Sequence, residues 1–277
     1  MLQRIFNFLL FSNIYIAVCA ALMVMQTMQF FPGGKHNSTF LYFIVSSTLV
    51  SYNFHWFLTR PKPGTSQRGD WTLKHRGVLL VMLMIGIAGS IIFFIPLMKH
   101  WLPIGFIVFI TFIYSAPKIP IFSRLNKIAV AKTLFLTTVW VYVTSVLYFL
   151  VNEIPYTQEQ FLFVLSRFFL IYCICILFDY RDHEDDRKNG LSSLPVNVNS
   201  STLAIFFYGS ALLFIIVTTL LYFKSWQGVD VMLMLIPGII VALLYNYARN
   251  HFSDYLYYFI LDGMMMFSSL LTLLIGF

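Results

Sequence analysis

Five of the chain's eleven acidic residues, Asp179, Asp182, Glu184, Asp185 and Asp186, fall within eight positions at the mouth of an apolar segment. At about 100° per residue, Asp179, Asp182 and Asp186 share an arc of about 60° on one helical face. Such a row can present oxygens to a hard divalent cation while leaving positions open for water and phosphate oxygens. Carboxylates at the end of a membrane helix are costly unless a cation compensates them, so this is the first place to look for chemistry. A plainer reading also fits the residues: a solvated loop whose acids pair with Arg181, Arg187 and Lys188. Gly190 and Pro195 mark where the helix ends and the chain turns back.

The elements that must position this row are membrane helices. The chain is 59% hydrophobic and 10% charged, more apolar surface than a soluble domain of 277 residues can hide. Apolar windows recur at 4–25, 38–59, 78–98, 101–117, 128–150, 159–179, 202–223, 229–248 and 255–276. They predict an all-α polytopic protein with nine transmembrane helices in a single domain, 1–277. The first run is expected to stay as a helix rather than act as a cleaved signal.

With the N-terminus in the cytoplasm, fourteen of the eighteen basic residues fall on the inner side, and only Lys35, Lys99 and Lys224 on the outer. The remaining one, Arg167, lies within a span. The C-terminus is then outside, and the acidic row faces the cytoplasm. The net charge of +7 is spread singly or in small groups between apolar runs, which reads as topology and not as a nucleic-acid surface. Cys19, Cys173 and Cys175 all sit in apolar segments and read as packing residues. The lack of an Arg- and Ser-rich leader favours a plasma or bacterial inner membrane.

The stretch Leu177 to Val196, LFDYRDHEDDRKNGLSSLPV, resembles the second aspartate-rich motif of the UbiA superfamily of intramembrane prenyltransferases. The matching positions are Asp179, Asp182, Asp186, Arg187, Gly190, Leu194, Pro195 and Val196. Asp185 stands in the usual glycine place and Ser193 in the usual threonine place. Tyr114-Ser115-Ala116-Pro117 is similar to the family's Y-S-x-P element, followed by Lys118, Arg124 and Lys127 in a basic loop. The resemblance implies a helical bundle with a central cavity open to the cytoplasm. It also implies Mg2+ held by Asp182 and Asp186, assisted by Asp179, and transfer of a prenyl group from an isoprenoid diphosphate to an aromatic or lipid acceptor.

The family's first motif, N-x-x-x-D-x-x-x-D, is degenerate. Asn53 matches and would help orient the diphosphate or its metal, but Phe57 and Pro61 occupy the aspartate places. Arginine and lysine can supply part of the missing field. Arg60, on nearly the same helical face as Asn53, with Lys62 or Lys118, is therefore expected to grip the diphosphate. His55 and Trp56 read as interfacial packing. Arg167 and Asp262, deep in their spans, each need a partner or a wet cavity. Asp254 reads as a solvated helix-end residue. The rival expectation is a non-catalytic protein of the same fold that binds an isoprenoid, quinone or lipid.

Overall fold

The computed structural model describes every residue except 60, 116–131, 189–192, 225 and 276–277, and the side chains of 113–115 and 132 also lie outside the description. Arg60, Lys118 and the basic loop around Arg124 and Lys127 therefore fall outside the described residues. Within them the chain is helical, with no strand.

The N-terminal apolar run is not one helix. Helix α1 (Leu2–Phe11) and α2 (Ile14–Phe30) meet at a 64° bend. The break sits at Ser12 and Asn13, where Asn13 adopts φ +67°, a left-handed conformation that asparagine tolerates better than most residues. Helix α1 exposes Leu2, Ile5, Phe8 and Leu9 while burying Leu10 and Phe11. An exposed apolar stripe on a short helix set across its neighbour suits the membrane interface.

Helix α3 (Asn37–Leu58) is followed by a short α4 (Gln67–Lys74), whose N-cap Ser66 accepts from the Gly69 amide at 2.9 Å. Next come α5 (Arg76–Phe94), a 3-10 segment Ile95–His100 and α6 (Trp101–Ser115). The 3-10 segment falls where the sequence predicts two spans to meet, and Pro96 explains it by removing a backbone donor. Helix α7 (Lys132–Val141) passes through a π-turn, Tyr142–Val146, into α8 (Leu147–Val151). The remainder is α9 (Gln158–Lys188), a single turn α10 (Leu194–Asn197), α11 (Ser200–Tyr222), α12 (Gly228–Asn250), a π-segment Leu256–Leu261 and α13 (Asp262–Ile275).

Six helical stretches among the described residues are long and apolar enough to cross a membrane, or seven if α1 and α2 count as one broken span. Neighbours in sequence are mostly neighbours in space. Helix α2 packs on α3, α3 on α5, α7 on α9, α9 on α11, and α11 on α12, while α13 returns against α2. Helices α3 and α5 approach closely, and a Cβ on Gly86 would come within 3.0 Å of the Ser46 carbonyl and Val50. Cys19, Cys173 and Cys175 are free and buried in the core.

Helix α9 has 31 residues, about 46 Å of axial rise against a hydrocarbon core of about 30 Å. Its final turns, which carry the acidic row, therefore project past the apolar layer. About a third of the way along, Arg167 is 5% exposed and donates to five neutral acceptors on α2 and the π-turn. A π-turn leaves a carbonyl without its usual helical donor, and here Arg167 Nη1 bonds the Thr144 carbonyl at 2.8 Å. The deep arginine thus has its partners, and Asp262 is not one of them.

Candidate functional site

At the end of the bundle that carries the acidic row, two arginines meet across one tyrosine. Arg68 belongs to α4, which folds back over the break between α1 and α2. Its guanidinium carbon lies 4.1 Å from the ring centre of Trp56 on α3 and 4.1 Å from that of Tyr258 in the second π-segment. Arg181 on α9 stands 4.7 Å from the same Tyr258 ring and 4.8 Å from Tyr257. Cation–π contacts of this kind strengthen when desolvated. The π-segment puts consecutive tyrosines into the interior, with Tyr257 held by the Ala248 carbonyl at 2.8 Å.

Amides anchor the cluster from below. Asn13 Nδ2 donates to Asn53 Oδ1 at 3.0 Å, and Asn53 Nδ2 donates to the Leu49 carbonyl at 2.9 Å. Arg68 Nη2 donates to Asn13 Oδ1. Asn53 is fully buried with its amide engaged at both ends, so it reaches the cluster through Asn13 and not by facing it. The Arg68 backbone amide donates to Asp254 Oδ2 at 2.8 Å. Asp254 is therefore not a freely solvated helix end, because it pins the first turn of α4. Burial lowers the pKa of Arg68 from its ordinary value, while Tyr258 and Asp262 oppose that shift.

The acidic row turns as its spacing predicts. Asp179 and Asp186 are buried and Asp182 is partly buried, while Glu184 and Asp185 are exposed. Asp179 accepts from the Thr133 hydroxyl on α7. Asp182 is held by Arg181 through two bonds, Nε to Oδ1 at 2.7 Å and Nη2 to Oδ2 at 3.3 Å. Lys62 is exposed, in the loop before α4. No three His, Cys, Asp or Glu side chains among the described residues converge as a closed metal cage. Magnesium needs only one or two protein carboxylates when waters and phosphates fill its other positions. Asp182 and Asp186 lie one turn apart on α9, and Arg181 already neutralises part of Asp182.

Sequence reasoning missed Arg68, Arg181 and Tyr258 as members of one site. Arg68 looked like one more topology cation, and Arg181 like a counter-ion. A signal was present in Ser66-Gln67-Arg68-Gly69-Asp70-Trp71, where a capping serine and an early acid mark a helix start. Two surface hollows lie between α1 and α4, of about 390 and 410 Å3; both are lined by Asn7, Trp71, Lys74 and His75, and Arg4 lines the first.

Compared with protein-family models, curated proteins and solved structures, the chain matches none.

Proposed function

We propose that this protein is a UbiA-like membrane prenyltransferase, a nine-helix bundle that uses an isoprenoid diphosphate at its cytoplasmic face. The observation that carries the reading is a convergence. The two stretches that resemble the family's motifs, around Asn53 on α3 and around Asp182 on α9, meet through Trp56, Arg68, Tyr258 and Arg181. In the reaction the donor's C1–O bond breaks, and the diphosphate leaves with the electron pair. A carbon or oxygen of an aromatic or lipid acceptor then bonds to C1 and gives up a proton. Positive charge near the departing diphosphate lowers that barrier, and arginines can share the task with a metal. Magnesium, if it arrives with the substrate, would be held by Asp182 and Asp186, with Asp179 behind them. The prenyl tail would lie between helices, in the inner membrane of a bacterium or a plasma membrane.

The test is a titration of the purified protein with geranylgeranyl diphosphate, with and without magnesium, followed by turnover with a panel of phenolic and lipid acceptors. Binding should tighten with magnesium, weaken in Asp182→Asn and Asp186→Asn, and lead to product. Affinity indifferent to metal and to both substitutions, with no product, would reject the reading. In that case a non-catalytic isoprenoid or lipid binder stands, which Phe57 and Pro61 at the aspartate places already favour.

A further inference from the structure

Four buried polar atoms around the arginine pair have no hydrogen-bond partner: Arg68 Nε, Arg181 Nη1, Ser12 Oγ and Thr72 Oγ1. Ser12 adjoins Asn13, which holds Arg68 Nη2. Thr72 follows Arg68 by one turn of α4 and so shares its face. Arg68, Ser12 and Thr72 are 3%, 0% and 1% exposed. Orphaned buried donors are rare because each forfeits its bonds to water, and a charged one forfeits more. Two of the four belong to guanidinium groups that flank the Tyr258 ring, and the other two sit beside Asn13 and one turn along α4 from Arg68. Together they supply N–H and O–H donors and positive charge beside aromatic faces. An anion with several oxygens satisfies all of these at once, and guanidinium geometry favours phosphate.

We infer that Arg68 and Arg181, with Ser12 and Thr72, form a binding site for a phosphate or diphosphate group that works without a metal ion. Arg181 divides its donors, giving Nε and Nη2 to Asp182 and keeping Nη1 for the ligand. The site differs from a paired-aspartate arrangement in that cations, and not carboxylate-held metals, meet the ligand's charge. Two hydrogen bonds that tie α4 to the bundle run through Arg68, to Asp254 and to Asn13 at the α1–α2 break. The ligand therefore reaches the site by displacing α4, competing with Asn13 for the guanidinium. The inference shares the location of the proposed function but rests on it only for the identity of the ligand's tail.

The experiment is a titration of the full-length protein in detergent with inorganic diphosphate in excess EDTA, against matched chloride. Trp56, stacked on Arg68, gives an intrinsic fluorescence signal. Saturable binding is expected, weakened at least about tenfold in Arg68→Gln and in Arg181→Gln, the loss of one charge-assisted hydrogen bond. Thr72→Val and Ser12→Ala keep size and fold, and each should weaken binding by a few-fold. Absence of saturable binding in EDTA overturns the inference, and so does unchanged affinity in both Arg181→Gln and Thr72→Val, even if Arg68→Gln does not fold. Competition by phosphatidic acid in nanodiscs, and not by phosphatidylcholine, would identify a lipid headgroup as the source of the phosphate. Geranylgeranyl diphosphate binding no tighter than inorganic diphosphate would count against the prenyltransferase reading and leave this site standing.

Discussion

Arg167 permits a sharp test of how the bundle is held together. It sits nine residues into α9, about 14 Å from that helix's start and near the middle of a hydrocarbon core of about 30 Å. Nη1 has two protons and faces three acceptors, Thr27 Oγ1, the Thr144 carbonyl and Ser145 Oγ, each at 2.8 Å. Nη2 has two protons and two acceptors, the Met23 carbonyl at 3.0 Å and Gln26 Oε1 at 2.8 Å. Five hydrogen bonds at about 0.6 kcal/mol each give about 3 kcal/mol. Placing an arginine at that depth costs about 2.5–3.5 kcal/mol. The terms offset one another: Gln26 keeps a donor in Ser269, and the single Thr27 hydroxyl proton can serve the Met23 or the Thr144 carbonyl. Arg167→Met should therefore change the unfolding free energy by no more than about 1 kcal/mol, as hydrophobic replacement of buried charge often does.

Removing an acceptor while the cation stays is different. Gln26→Leu strands one charged N–H on Nη2, at a cost of about 2 kcal/mol or more. Ser145→Ala strands none, since Nη1 still has two acceptors for two protons. A double-mutant cycle in mixed detergent unfolding should show coupling between Gln26 and Arg167 of about 2 kcal/mol, and between Ser145 and Arg167 below about 0.5 kcal/mol. The cycle cancels the bonds that Gln26 Nε2 makes to Ser268 and Thr272. Equal coupling for the two pairs would refute the donor count. Outright unfolding of Arg167→Met would refute the offset.

Three further outcomes follow from the same geometry. Asn13→Gly should be more stable than Asn13→Ala by about 1 kcal/mol in thermal unfolding, because both lose the amide bonds and only alanine is strained at φ +67°; equal stability would mean the left-handed turn is not what asparagine supplies. Gly86→Ala should cost about 1–3 kcal/mol by pushing α3 and α5 apart, whereas Gly105→Ala, with open space around it, should stay within about 1 kcal/mol of the natural chain. Single cysteines at Ile5 and Leu9 can be spin-labelled selectively, since the three native cysteines are buried. With α1 in the interface both labels should report one depth, whereas a straight continuation of α2 would separate them by about 6 Å.

What the sequence announces is what depends on local pattern. Apolar length predicts an all-helical membrane protein but not the count, since nine windows are expected and six or seven stretches qualify among the described residues, while the Asp179, Asp182 and Asp186 spacing predicts which acids turn inward. The break at Ser12 and Asn13 is invisible to hydropathy, since the residues on either side are equally apolar. Asp254 could not be paired with α4 from sequence, because the partners are 186 positions apart. Arg68 is the sharpest case. It shares its loop with Lys62, Lys74 and Arg76, and charge counting treats them alike. Only the fold shows that Lys62 stays in solvent while Arg68 goes between two rings.

The two buried arginines separate structure from function. Arg167 and Arg68 are about equally hidden, 5% and 3% exposed. Each Nη proton of Arg167 has an acceptor within 3.0 Å, all of them neutral. Arg68 rests on two aromatic faces and one amide, with Nε idle. For holding a helix in place, a methionine at position 68 would serve about as well, because cation–π contacts of about 1 kcal/mol each only offset desolvation. The arginine gains its advantage when an anion arrives. Diphosphate at about 100 times its dissociation constant should stabilise the natural chain by about 2.7 kcal/mol. It should stabilise Arg167→Met by the same amount, and Arg68→Met, which binds at least about tenfold more weakly, by no more than about 1.4 kcal/mol. Thermal unfolding with and without the anion measures all three, and an equal shift in Arg68→Met would return Arg68 to the structural class of Arg167.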